Sequence, residues 1–196
     1  MKVNRAGYWA LFCMLFCLST TLKATPILSF NNSGSDIIET VTLGDSVNLD
    51  LWISGLDADN LGGFDINMGF DNSILSLTNA VLDPLLTEFD FLSISPSAAN
   101  VELSGVSLFG DLSAQADAFR LASFSFDTAA IGSGIIEISS ALLSDELALP
   151  LAFDNFTATI NVNDLVTTPP SIPEPTTWLL LIAGLGLAGR NALLRA

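Results

Sequence analysis

The stretch GDSVNLDLWISGLDADNLGGFDINMGFD, residues 44–71, decides the fold. In its first part Val47, Leu49, Leu51 and Ile53 alternate with Asn48, Asp50 and Trp52. In its second part Phe64, Ile66, Met68 and Phe70 alternate with Asp65, Asn67 and Gly69. A period of two sends successive side chains to opposite faces of a strand, so each part predicts a half-buried strand with one apolar face. Turn-forming residues from Asp57 to Gly63 separate the two.

Working outward, the same alternation recurs in FTATINV from Phe156. Further strands are expected at ILSFN from Ile27, IIETVTL from Ile37, ILSLT from Ile74, VELSGVSLF from Val101, FRLASFSFD from Phe119 and GIIEISS from Gly134. Turns at Gly44-Asp45, Asp71-Asn72 and Gly132 to Gly134 punctuate them, and no internal helix is expected. About nine short strands predict an all-β, antiparallel sandwich. Leu82 to Asn100 reads either as a long loop with a helical turn or as an extra strand at Phe89 to Ile94.

The ends differ from this body. Lys2 and Arg5, an apolar run from Tyr8 to Leu18, and a polar segment closing on Ala24 have the layout of a secretory signal peptide, residues 1–24, cut between Ala24 and Thr25. The alternative is an uncleaved anchor, for which the apolar run is short against the roughly 20 residues a spanning helix needs. The sandwich is expected over 25–164. A proline-rich linker, 165–176, leads to an apolar helix and basic end, 177–196.

Charge and composition exclude several functions. Between Thr25 and Ile172, Arg120 is the one basic residue against twenty of the chain's 21 carboxylates, a formal charge of −19. Such a surface repels phosphate backbones, so no nucleic-acid partner is expected. The chain has no histidine, and Cys13 and Cys17 both lie in the signal segment. The mature protein therefore lacks the usual general base, thiol nucleophile, disulfide and zinc ligands. No enzyme, no catalytic residue, no metal and no cofactor are expected.

One set of side chains reads as a binding face: Asn48, Asp50 and Trp52 on the polar side of one strand, with Asp65 and Asn67 expected on a neighbouring strand. An indole flanked by amides and carboxylates suits a sugar, the ring stacking on the pyranose and the polar groups taking its hydroxyls. The alternative is that the Leu82 to Asn100 segment covers Trp52. Asp57, Asp59 and Asn60 carry oxygen ligands in the manner of half a calcium loop, but no bidentate acid follows at the required distance, so an Asx-rich turn is the competing reading.

Four segments of the body resemble the cohesin family: GDSVNLDLWI at 44–53, LGGFDINMGFDNSIL at 61–75, FRLASFSF at 119–126 and GSGIIEI at 132–138. That resemblance implies a nine-stranded jelly-roll sandwich, structurally akin to certain carbohydrate-binding modules, that displays a docking surface outside the cell. It also implies that Asp65 stands on the docking face, with Gly63 where dockerin-binding cohesins commonly carry Asn. The C-terminus resembles the PEP-CTERM sorting signal of Gram-negative bacteria that secrete exopolysaccharide. Pro173-Glu174-Pro175 is the motif, Trp178 to Gly189 the apolar helix, and Arg190 and Arg195 the basic stop.

The sorting resemblance implies an exosortase-type membrane protease as partner, acting near the PEP motif. At 1.5 Å per residue, Trp178 to Gly189 spans only about 18 Å of a roughly 30 Å core, as suits a transient anchor; permanent anchoring is the alternative. Function is thus expected to be an exported adhesion module that binds an extracellular protein module. The alternative is a carbohydrate-binding module associated with exopolysaccharide.

Overall fold

The computed structural model describes residues 24–56 and 59–164. These fall in the first of two units into which the chain divides, Met1–Asp164 and Leu165–Ala196. Within them are β1 (Ile27–Ser29), β2 (Ile37–Thr42), β3 (Ser46–Ser54), β4 (Gly63–Phe70), β5 (Leu75–Leu82) and β6 (Phe91–Pro96). There follow β7 (Asn100–Val106), β8 (Phe119–Thr128), β9 (Gly132–Ser144), β10 (Pro150–Leu151), β11 (Asp154–Asn155) and β12 (Ala158–Asn163). Nine of these have six residues or more, and the other three have two or three.

The strands form a two-sheet sandwich. One sheet has five strands in the order β11-β1-β3-β8-β5; the other has seven, β2-β12-β9-β4-β7-β6 with β10 beside β9. Pairing is antiparallel except at β1–β11 and β2–β12, where short edge strands run parallel to their neighbours. The facing sides bury Leu49, Leu51 and Ile53 of β3 against Ile66 and Met68 of β4, with Phe124 and Phe126 of β8 among the largest fully buried side chains. Two edge-to-face ring pairs link elements across this core: Phe70 with Phe126 at 5.2 Å, and Phe64 with Phe89 at 5.3 Å.

Several elements depart from the sequence reading for identifiable reasons. Of the two readings of Leu82 to Asn100 the extra strand is the one formed, as β6 hydrogen-bonded along β7 and displaced two residues beyond Phe89 to Ile94, while Leu86 and Phe89 ahead of it are buried. β5 and β9 both run well past the expected segments. A register shift lies between Leu77 and Asn79 on β5, where Thr78 and Asn79 are both exposed. Another lies opposite β9 between Asn67 and Met68, where Ser139 and Ser140 are both exposed. A bulge puts two consecutive residues on one side, and this interrupts the alternation by which a strand is recognised. A single 3₁₀ turn, Leu112–Ala114, capped by the Asp111 side chain, stands where no helical element was expected.

Ala24 and Thr25 are exposed and precede β1. Asp57, the linker and the sorting tail lie outside the described residues. Among those described, no helix is long and apolar enough to cross a membrane.

Candidate functional site

The sandwich has two outer faces, and the residues singled out in the sequence divide between them. Asn48, Asp50 and Trp52 are on β3, in the five-stranded sheet, whereas Asp65 and Asn67 are on β4, in the seven-stranded sheet. Both sets point away from a common core, so they face opposite directions. The single neighbourhood expected from the sequence is therefore not formed: β3 pairs with β1 and β8, and β4 with β7 and β9.

On the five-stranded sheet the partners come from β8. Asn48, Asp50 and Trp52 stand opposite Ser125, Ser123 and Arg120. Ser125 Oγ donates to Asn48 Oδ1 at 2.7 Å, and Ser123 Oγ to Asp50 Oδ1 at 2.6 Å. Arg120 donates through Nη1 to Asp50 Oδ2 at 3.2 Å and through Nε to Asp83 Oδ2 at 2.6 Å. Burial pushes the Asp83 carboxyl up, but the Leu85 N–H and Arg120 outweigh it and hold the group below its ordinary value. The hydrogen bonds to Asp83 and Asp50 raise Arg120 in turn. Asp83 escaped the sequence reading. A lone cation among so many acids must find partners, but which acids reach it depends on the β5–β8 pairing.

Removing Asp83 strands Arg120 on Asp50 alone. Water still reaches Arg120, 35% exposed, so Asp83→Ala is expected to lower stability by about 2 kcal/mol at neutral pH, below the 3–5 kcal/mol of fully buried pairs. Because the folded-state value of Asp83 is depressed, its contribution is present above the ordinary value of 3.8 and is lost as pH falls through the folded value. Urea melts of both proteins should therefore converge under acid; a gap that widened there would contradict this assignment.

The seven-stranded sheet presents a different surface. Register places Phe91, Val106, Gly63 and Ser144 in one row across β6, β7, β4 and β9, with Ser93, Ser104, Asp65 and Leu142 in the next. Phe91 and Leu142 are 62% and 64% exposed. An open groove of about 590 Å³ runs beside Asp65, Asp90, Phe91 and Ser104. Asn67 Oδ1 is shut off from solvent with no hydrogen-bond partner among the described residues.

Two turns flank this face, each held by an aspartate. Asp90 Oδ2 accepts from the Leu108 and Phe109 N–H groups at 2.6 and 2.8 Å, and those bonds hold its carboxyl below the ordinary value. Asp145 Oδ1 accepts from the Leu147 and Leu149 N–H groups at 2.9 and 2.8 Å. Gly62 joins the two turns, donating its N–H to Ser144 O and accepting from Ser107 N–H. The backbones are fixed while Leu108, Phe109, Leu147 and Leu149 stay exposed. Exposed apolar groups gathered at one end of one sheet mark an interaction surface more strongly than scattered ones do.

Asn60 Nδ2 donates to Glu146 Oε2, and the Asp59 N–H to Leu56 O. Among the described residues no cluster of three or more metal-binding side chains is formed.

Residues 171–195 match the PEP-CTERM protein-sorting motif, which supports export to the cell surface or extracellular matrix. No curated protein matches the chain. The sandwich is similar to a non-cellulosomal cohesin from the archaeon Archaeoglobus fulgidus, at 11% identity and TM-score 0.57, over 71% of this chain and 92% of that one. It is similar to the sixth cohesin of Acetivibrio cellulolyticus scaffoldin B, solved in complex with a Cel5 dockerin, at 16% identity and TM-score 0.57, over 71% and 99% of the two chains. A type II cohesin domain from the A. cellulolyticus cellulosome gives 14% identity and TM-score 0.57 over 70% and 95%. At these identities the likeness establishes a cohesin-like β-sandwich fold.

Proposed function

We propose that this chain is an exported, non-enzymatic docking module that captures a secreted protein on the outer face of β9, β4, β7 and β6. Delivery would use the signal peptide 1–24 and the PEP-CTERM tail. The tail holds the sandwich at the membrane of a Gram-negative bacterium until an exosortase-type protease cuts near Pro173-Glu174-Pro175.

One observation carries the reading: Phe91, Val106 and Leu142 form an exposed apolar patch around Asp65 on a rigid sheet. Interfaces of standard size concentrate their energy in such a centre, with a polar rim to set register. Glu102 and Asp90 supply that rim, Asp65 adds a carboxylate within the patch, and the sandwich's sole cation, Arg120, lies on the other sheet. The complementary partner is therefore a protein with an apolar centre and lysine or arginine around it. The A. cellulolyticus cohesin solved with a dockerin makes a dockerin-like module the first candidate.

The test compares wild type with Leu142→Asp, an exposed position where folding should be unaffected. The immobilised protein is offered the secreted proteins of the producing organism. A charge in the patch is expected to weaken capture at least about tenfold, or about 1.4 kcal/mol. Capture that survives Leu142→Asp unchanged would remove this face from consideration.

A further inference from the structure

The outer face of the other sheet carries a recess that docking on β9-β4-β7-β6 leaves unused. Trp52 stands between two depressions. One, about 530 Å³, is lined by Leu86, Phe119, Asp83, Glu88 and Arg120. The other, about 380 Å³, lies at the edge of that face and is lined by Asn31, Asn48 and Asp50 together with Glu39 of β2 from the seven-stranded sheet. Since Trp52 belongs to both, the indole forms the saddle of one elongated groove instead of the wall of a closed pocket.

The polar groups beside the indole are fixed before any ligand arrives. Asp50 is held by Ser123 and Arg120, and Asp83 by Arg120 and the Leu85 N–H. Ser125 occupies Asn48 Oδ1 and leaves the Asn48 amide nitrogen as a donor. A rigid aromatic platform with preset donors and acceptors on either side favours a ligand with an apolar ring face and many hydroxyls. Charge narrows the class. Glu39, Asp50, Asp83 and Glu88 against Arg120 repel polyanions. Arg120 offsets one of the two carboxylate charges bonded to it, and both acids already accept its N–H groups, so they act as hydrogen-bonding groups more than as a cation trap.

We infer that the groove across Trp52 binds a neutral, linear glycan, one sugar ring stacked on the indole and its neighbours reaching into the two depressions. This does not rest on protein docking at the opposite sheet, and either could hold without the other.

The chain has three tryptophans, Trp52 and, outside the described residues, Trp9 and Trp178, so the part of an emission change that is lost in Trp52→Phe reports the site. The purified protein is titrated with neutral cello- and manno-oligosaccharides, with oligogalacturonate as the acidic control and oligolysine as the basic one, at low and high salt. A saturable emission change with a neutral oligosaccharide, indifferent to salt, is expected. Calorimetry on Trp52→Ala, with circular dichroism confirming its fold, should show binding weakened at least about tenfold. Trp52→Phe, which keeps a smaller ring, should fall between the two, and Leu142→Asp should bind like wild type. No neutral oligosaccharide bound by wild type, or unweakened binding in both Trp52 variants, would overturn the assignment. Binding of oligolysine alone, abolished by salt, would overturn it in favour of a basic peptide.

Discussion

Truncation of Phe126 to alanine is expected to lower the unfolding free energy by about 4 kcal/mol, within the 3–5 kcal/mol typical of Phe→Ala in a core. Phe126 is fully buried on β8, the strand between β3 and β5, and its ring meets Phe70 of β4 edge-on at 5.2 Å. It is thus a direct contact between the two sheets. Three losses add up: the transfer of the ring from water, the contacts around the cavity left behind, and an aromatic pair worth about 1 kcal/mol beyond its area. Strands with hydrogen-bonded neighbours on both sides have little freedom to collapse into the space. Phe126→Leu, which refills part of the volume, should recover more than half of the loss. Urea unfolding of the three proteins measures this, and a Phe126→Ala loss under about 1 kcal/mol would show a core far looser than its burial implies.

How much could be read in advance depended on the range of each interaction. The alternation in β3 and β4 is local, and it assigned Leu49, Leu51, Ile66 and Met68 to the core and Trp52 and Asp65 to the outside. Sheet membership is not local. Nothing within residues 44–71 says that β3 joins β1 and β8 while β4 joins β7 and β9, and this is why Trp52 and Asp65, 13 positions apart in sequence, face opposite ways. The candidate sites inherit that limit. Asp83 reaches Arg120 over 37 residues and Asp90 reaches Leu108 over 18, distances at which one aspartate among many carries no signal. The Asp145 turn differs, since SDELAL holds both the carboxylate and the amides it binds. A turn could have been read there, although its position beside Gly62 could not.

Gly62→Ala links the fold to the proposed docking face and should be costly for both. A Cβ at Gly62 would lie 2.2 Å from the Asp145 carbonyl oxygen and 2.7 Å from its carbon. Both are backbone atoms, so no rotamer change relieves the clash and the β9–β10 turn must move. With it would go the Gly62 N–H bond to Ser144 O, and strain on the Ser107 bond to Gly62 O would follow. A loss of about 3 kcal/mol is expected, at the upper end for overpacking because the obstruction is main chain. Gly44→Ala separates this effect from the general loss of a glycine. There φ is +96° and nothing lies within 4 Å of the added carbon, so only conformational strain remains, roughly 1 kcal/mol. If the turns beside Gly62 build the docking surface, Gly62→Ala should also weaken partner capture at temperatures where the protein is still folded, while Gly44→Ala should not. Equal stability losses in the two variants would mean that the backbone near Gly62 yields easily, and the turns at Asp90 and Asp145 would then be independent of each other.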